Sequence, residues 1–297
     1  MNDNEKVYFS NSYKCRAENE SQLDEMVRRG WVYVLGDGRI SYGKEVKNIM
    51  KKIDDKIMSW AIEDNAWDIC YPDFYRMKDL VQCDYITQFH PHCFFASTSN
   101  IDMFEQLQIE STDFVNNPAV CMHSYIQYRD SIIKEDEPIV ITSKGKCKRK
   151  EHTGYISMER LLDFTMREII FMGTETYVLN KRNEYMKRSK QLITEMELDG
   201  NISVANDPFF KKEDKVKADF QRKFKLKYEM HLKIPYNEHM IAVGSFNYHG
   251  TNFSKAYNIK DSNNHYVHTA CMAFGMERFA YACIEQKGID SIDDLII

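Results

Sequence analysis

The apolar positions change period twice between residues 31 and 75. Trp31 to Leu35 (WVYVL) is a continuous β-favouring run, Gly36-Asp37-Gly38 supplies a tight turn, and Ile40-Ser41-Tyr42 reads as the returning strand. Val46, Ile49, Met50, Ile53, Ile57 and Trp60 then recur every three or four residues, with lysines and aspartates between them, which predicts a helix with one apolar face. After Asp64-Asn65 the run WDICYPDFY predicts a strand that stops at Pro72, because proline has no N–H to give to a ladder.

Residues 141–174 alternate instead. A strand over residues 147–151 would put Cys147, Arg149 and Glu151 on one face, with Lys146, Lys148 and Lys150 on the other. The polar stretch from His152 to Glu159 reads as a loop, after which Phe164, Met166, Glu168 and Ile170 share a face of a returning strand. Pairing the two strands would gather an aromatic ring, two carboxylates and an arginine on one surface. Farther on, Val216, Phe220 and Phe224 recur every four residues as on a short basic helix; Phe224, Leu226, Tyr228 and Met230 then alternate as a strand, opposite Lys225, Lys227 and Glu229. GSFNYHGTNF reads as a strand entering a loop, and residues 276–286 as a helix. Strands and helices mix without a regular βαβ order, which favours an α+β fold on an antiparallel sheet.

Composition narrows the partners. The 297 residues carry 43% hydrophobic and 13% aromatic side chains, enough for one large domain with an N-terminal elaboration, and a net charge of −5 argues against a surface wholly devoted to nucleic acid. The N-terminus has no apolar core of a signal peptide and no window approaches a membrane span, so a soluble cytoplasmic protein is expected. Eight cysteines include no CxxC pair, and in a reducing compartment most should pack as small hydrophobes. FHPHC at 89–93 reads as a loop around a proline rather than a metal site. The run HTACMAFGMER at 268–278 is harder to place, since a core-bound segment carries Cys271 and Arg278, and a desolvated guanidinium demands an anion.

In order, the helix from Val46 with Pro72, then Arg149-Lys150-Glu151, then Gly275-Met276-Glu277-Arg278 resembles the three motifs of class II aminoacyl-tRNA synthetase catalytic domains. PAVC at 118–121, FTMREIIFMGT at 164–174, ANDPFF at 205–210, SFNYH at 245–249 and HTACMAFGMER at 268–278 are similar to signatures of the amino acid:carrier protein ligases, the seryl-tRNA-synthetase-like enzymes that load an amino acid onto phosphopantetheine. The resemblance implies a class II α+β catalytic domain, an antiparallel sheet flanked by helices, over residues 31–297 behind an extension of residues 1–30. It implies a Zn²⁺ site at Cys121, Glu168 and Cys271, a donor set that suits zinc and leaves a fourth position open for the substrate's α-amino group. It also implies ATP and Mg²⁺, with Arg149 and Glu151 meeting ATP, Phe164 lying against adenine and Arg278 meeting the triphosphate; Glu229 is a further candidate for a Mg²⁺/ATP contact. A small amino acid as substrate, a phosphopantetheinylated carrier protein as acceptor and a homodimer through the Val46–Trp60 helix and the strand that follows it are implied by the same resemblance.

The chain departs from the family at Lys148, at Lys211-Lys212-Glu213-Asp214, and at Ala242 and Gly244 beside SFNYH. Read alone, Cys121 and Cys271 are packed thiols, and Glu168 is a carboxylate paired with a neighbouring lysine. The lysines at 211, 212, 215, 217, 223, 225 and 227 are a solvated face on the plain reading and a docking surface for an acidic carrier on the sharper one. Aminoacylation of tRNA and a non-catalytic sensor of ATP or an amino acid are the alternatives. No heptad-bearing helical hairpin of the kind that grips tRNA occurs near the N-terminus.

Overall fold

The computed structural model describes residues 7–15, 20–99, 109–151, 154–207, 219 and 221–294. Its centre is an eight-stranded sheet: Val7–Asn11 (β1), Trp67–Asp68 (β2), Ile139–Lys148 (β3), Asp163–Gly173 (β4), Gly200–Ala205 (β5), Lys227–Ile234 (β6), His239–Gly250 (β7) and His268–Gly275 (β8). The spatial order is β1-β5-β6-β7-β8-β4-β3-β2, antiparallel throughout except that β2 runs parallel to β3. This is the α+β architecture that the mixed pattern predicts.

Alternation divides the sheet into two faces. On one, Ile169 and Phe171 of β4 lie with Ala270, Met272 and Phe274 of β8 in the larger core. That core packs against helices Lys44–Glu63 (α1), Glu175–Glu195 (α3) and Met276–Lys287 (α5). Val46, Ile49, Ile53, Ile57 and Trp60 are the buried stripe of α1, as their spacing predicts. The N-terminus of α3 is capped by Thr174, whose hydroxyl accepts the Tyr177 N–H. On the other face, Ile170, Met172 and Cys271 join the short helices Met122–Gln127 (α2) and Asn252–Tyr257 (α4) in a second core with Tyr125 and Tyr257.

The predicted hairpin forms over Val32–Gly36 and Arg39–Tyr42. Asp37 and Gly38 at its tip both have positive φ, 52° and 74°, as a primed turn requires. Gly38 has no substitute there: a Cβ would stand 2.4 Å from Tyr155 Cδ1 and 2.7 Å from the Leu162 nitrogen. Residues of the predicted N-terminal extension join the central sheet, where β1 pairs with β5, and Ser21 and the Gln22 N–H bond to Glu285 on α5.

Three predicted elements are corrected. WDICYPDFY is two short strands in two sheets, Trp67–Asp68 beside β3 and Phe74–Arg76 beside Ile109–Asn116, because the chain turns away around Pro72. The strand placed at 147–151 runs instead from Ile139 to Lys148, so Arg149 and Glu151 follow it. The alternation read from Phe224 starts at Lys227, because Lys225 has φ 50° and the chain turns there. The helix read at Val216 and Phe220, and the lysines at 211, 212, 215 and 217, lie outside the described residues.

Candidate active site

Cys121 reaches the sheet through a short loop tied down at every residue. Buried Asn117 donates its amide to the Lys146 carbonyl at 3.0 Å, accepts the Ala119 N–H at 3.1 Å, and takes the Lys148 N–H on its own carbonyl at 2.8 Å. The buried Tyr75 hydroxyl donates to the Ala119 carbonyl at 2.7 Å. Gly145 lets the loop approach, since a Cβ there would stand 3.2 Å from a Val120 methyl. The Val120 N–H then donates to Glu168 Oε1 at 2.9 Å, fixing that carboxylate under the loop.

Glu168 and Cys271 come from neighbouring strands. Ile170 of β4 pairs with Cys271 of β8, so Glu168 lies two residues along on the same face. One ligand atom each from Cys121, Glu168 and Cys271 falls within 4.8 Å of the others, and all three side chains are buried. Three residues separated by 47 and 103 positions (121, 168, 271) thus converge, as predicted. Burial, followed by the charge of Cys271, pushes the Glu168 carboxyl up to about 8. The hydrogen bond between the sulfurs holds the Cys121 thiol up and the Cys271 thiol down. Asn247 donates to Cys271 Sγ at 3.5 Å, and His249 Nε2 stands 3.7 Å from it. A buried carboxylate and two thiols of this kind are costly without a cation, and the S₂O donor set fits zinc with one position left for another ligand.

Of the predicted charged residues, Arg149 is near enough to act on Glu168, and its charge also acts on Arg278. Arg149 donates from Nε to the Pro118 carbonyl at 2.8 Å, touches Met166 Sδ at 3.9 Å, and carries its guanidinium 5.3 Å from the centroid of the Phe164 ring. Glu151 makes a 3.8 Å ion pair with Arg160. Arg278, in the first turn of α5, donates to the Ala242 carbonyl at 3.4 Å; burial lowers its pKa, and the charges acting on it are Glu151, Arg149, Arg160 and Glu229. Among the described residues, neither Arg149 nor Arg278 has a carboxylate within ion-pair distance. Glu229 is engaged by Lys227 at 3.0 Å and His231 at 3.4 Å; despite its burial, these partners hold its carboxyl down at about 2.

Other motifs resolve into support. His90–His92 is a 3₁₀ turn whose His92 exchanges bonds with Lys150 through Nδ1 and its carbonyl, so FHPHC braces the chain just after β3. Sequence reasoning missed Glu277 as an organising group, although it stands inside the GMER run: it is buried and accepts from Thr165, Tyr42 and Lys146. It also passed over His249, inside SFNYH, which the β7 register brings to Cys271.

No family model matches the chain. An amino acid–acyl-carrier-protein ligase of Bradyrhizobium diazoefficiens is 35% identical over 185 residues, covering 61% of this chain and 55% of that protein. A type-2 serine–tRNA ligase of Methanococcus aeolicus is 24% identical over 303 residues, covering 93% of this chain and 58% of that protein. The chain thus spans little more than half the length of these relatives. Among solved structures, M. kandleri SerRS in complex with A. aeolicus tRNASec superposes with a TM-score of 0.81 at 19% identity, over 96% of this chain and 60% of that one. Seryl-tRNA synthetase from Pyrococcus horikoshii complexed with ATP gives 0.71 at 14% identity, over 93% and 60%. The chain therefore has the class II seryl-tRNA-synthetase fold and is a homologue of the amino acid–acyl-carrier-protein ligases and the type-2 serine–tRNA ligases.

Proposed function

We propose that the chain activates a small amino acid with ATP and passes it, as a thioester, to the phosphopantetheine thiol of a carrier protein. The observation that carries this reading is the convergence of Cys121, Glu168 and Cys271 on the sheet face that also carries Phe164, against whose ring Arg149 packs from just beyond β3. A zinc ion held by the three donors would fix the substrate amine and so orient its carboxylate. Arg149 and Arg278, lacking carboxylate partners among the described residues, are preorganised cations for the phosphates, where such donors act most strongly. Phe164 offers a ring to adenine, and Glu151 and Glu229 are the carboxylates for Mg²⁺-ATP. The substrate carboxylate attacks the α-phosphorus and pyrophosphate leaves; the thiol then attacks the carbonyl of the adenylate and AMP leaves. Positioning and electrostatics supply the rate, since no protein nucleophile is required.

The carrier as acceptor is favoured by the two ligase relatives, 35% and 31% identical, over type-2 serine–tRNA ligases at 23% to 25%. A tRNA acceptor is the second reading, supported by the span of the serine–tRNA ligase alignment, 93% of this chain against 61%. A homodimer through α1 is part of the proposal, and the neighbouring hairpin leaves Tyr33, Val34 and Leu35 exposed for it. The test is amino-acid-dependent ATP–pyrophosphate exchange over a panel of amino acids, followed by mass spectrometry of a holo-carrier protein and a tRNA-charging assay. Charging of tRNA with no loading of any holo-carrier would replace the first reading by the second.

A further inference from the structure

His249 lies on β7 two residues beyond Asn247, the partner of Cys271 in the ladder, and the register shift between Tyr248 and Gly250 leaves its ring beside the buried thiol. Both of its nitrogens are engaged. Nε2 stands 3.7 Å from Cys271 Sγ, while Nδ1 stands 3.3 Å from the Tyr125 hydroxyl and 3.3 Å from the Thr269 hydroxyl. Tyr125 and Thr269 are fully buried. The ring stands edge to face against both Tyr125, with centroids 6.0 Å apart at 81°, and Phe253, at 4.8 Å and 83°. Phe253 in turn stacks on Tyr125 at 4.4 Å. A metal-bound sulfur would only accept, which puts the proton on Nε2 and leaves the Nδ1 lone pair to accept from the Tyr125 or the Thr269 hydroxyl.

We infer that His249 is a positioning residue for the metal: its Nε2–H bonds to Cys271 Sγ, holding that sulfur in place without ligating the ion or touching the amino acid. This rests on the reading of Cys121, Glu168 and Cys271 as the metal ligands. Outer-shell donors of this kind orient a ligand, and their removal commonly weakens metal binding by roughly 10- to 100-fold. His249 differs from an ordinary core histidine because its two nitrogens divide between the sulfur and a pair of buried hydroxyls.

The test uses the full chain, metal-free and then loaded with Co²⁺ or Zn²⁺, as wild type, His249→Ala and His249→Gln. Chelator competition gives the affinity, and the sulfur-to-cobalt charge-transfer band reports the thiolate directly. His249→Ala is expected to bind about 10- to 100-fold more weakly with a shifted band at unchanged stoichiometry. His249→Gln, which keeps an N–H, should recover most of both. In pyrophosphate exchange the KM for the amino acid should rise while that for ATP holds. Unchanged affinity and band in His249→Ala would overturn the inference. So would loss of the ion that Gln cannot restore, since that marks a direct ligand. Failure of wild type to hold one metal per chain would instead remove the metal reading itself, and this inference with it. Thermal unfolding of the metal-free variants separates a folding defect, in which all three measurements collapse together, from the expected pattern.

Discussion

Thr165 gives Glu277 both of its donors: the backbone N–H meets Oε2 at 2.7 Å and the hydroxyl meets Oε1 at 2.8 Å. The same buried carboxylate accepts from the Tyr42 hydroxyl at 2.8 Å and from Lys146 at 3.3 Å, so one side chain joins the hairpin, β3, β4 and the start of α5. Arg278 is the next residue and inherits its position from this knot. Glu277→Ala leaves buried donors without an acceptor and should cost about 3 kcal/mol of stability. Urea unfolding would show it as a lower midpoint at unchanged slope; a midpoint equal to wild type would mean that the knot is not what anchors α5.

The metal cluster predicts a linked loss. On the proposed zinc site, Cys271→Ser and Cys121→Ser each remove a sulfur ligand, and each should abolish both a one-per-chain zinc content and amino-acid-dependent exchange. Elemental analysis of the purified variants is the measurement. Stoichiometric zinc in both would dismiss the three-residue site.

The proposed phosphate contacts, Arg149 and Arg278, belong to different elements, one just after β3 and one in α5. A donor aimed at charge that develops in the transition state is worth roughly 3 kcal/mol, so each alanine variant should slow pyrophosphate exchange on the order of a hundredfold. The folded baseline should hold, because neither guanidinium has a carboxylate partner to strand among the described residues. Wild-type exchange by both variants would move the phosphate site elsewhere.

Much of this was legible before the structure, and the misses share a cause. The alternation of Phe164, Met166, Glu168 and Ile170 predicts β4 because that strand is paired on both sides along most of its length, and the period is undisturbed. Beyond Lys148 the Arg149 N–H still meets the Leu162 carbonyl, next to Asp163, but the Lys150 N–H turns away to His92. Residues 149–151 keep the alternation of the paired Cys147 and Lys148 although the strand ends at Lys148, and no local period reports that. The cluster of Cys121, Glu168 and Cys271 has no spacing signature, since a loop and two strands supply it; only resemblance pointed there. His249 carries no periodic signal at all, and its meeting with Cys271 depends on a register shift.

Glu229 predicts an acid limb. Its carboxyl is held at about 2 in the folded chain against an unfolded value near 4.5, so its stabilisation is complete above about pH 4.5 and is lost as pH falls through about 2. A shift of this size is on the order of 3 kcal/mol. Glu229→Gln should therefore be less stable than wild type near about pH 6, with the gap closing toward about pH 2.5. A pH-independent gap would show that Lys227 and His231 pack against Glu229 without drawing on its charge.

The two proposed half-reactions can be separated at the basic segment that follows β5. Its ends are closed by polar bonds: Asp207 accepts from Gln221 and Lys227, both at 2.8 Å, and Arg222 donates to Asn206. Lys227 also pairs with Glu229, whose charge reaches Arg278, so the segment rejoins the sheet near a proposed phosphate contact. Lys211, Lys212, Lys215 and Lys217 lie between those ends, outside the described residues. An acidic carrier would be steered by them through long-range attraction, which is strongest at low salt, where the Debye length is long. Neutralising all four should slow thioester formation on the carrier, with the largest deficit at low ionic strength, while adenylate formation measured by pyrophosphate exchange stays near wild type. Equal losses in both half-reactions would place these lysines in ATP binding or folding, and an unchanged rate of carrier loading at every salt concentration would remove them from docking altogether.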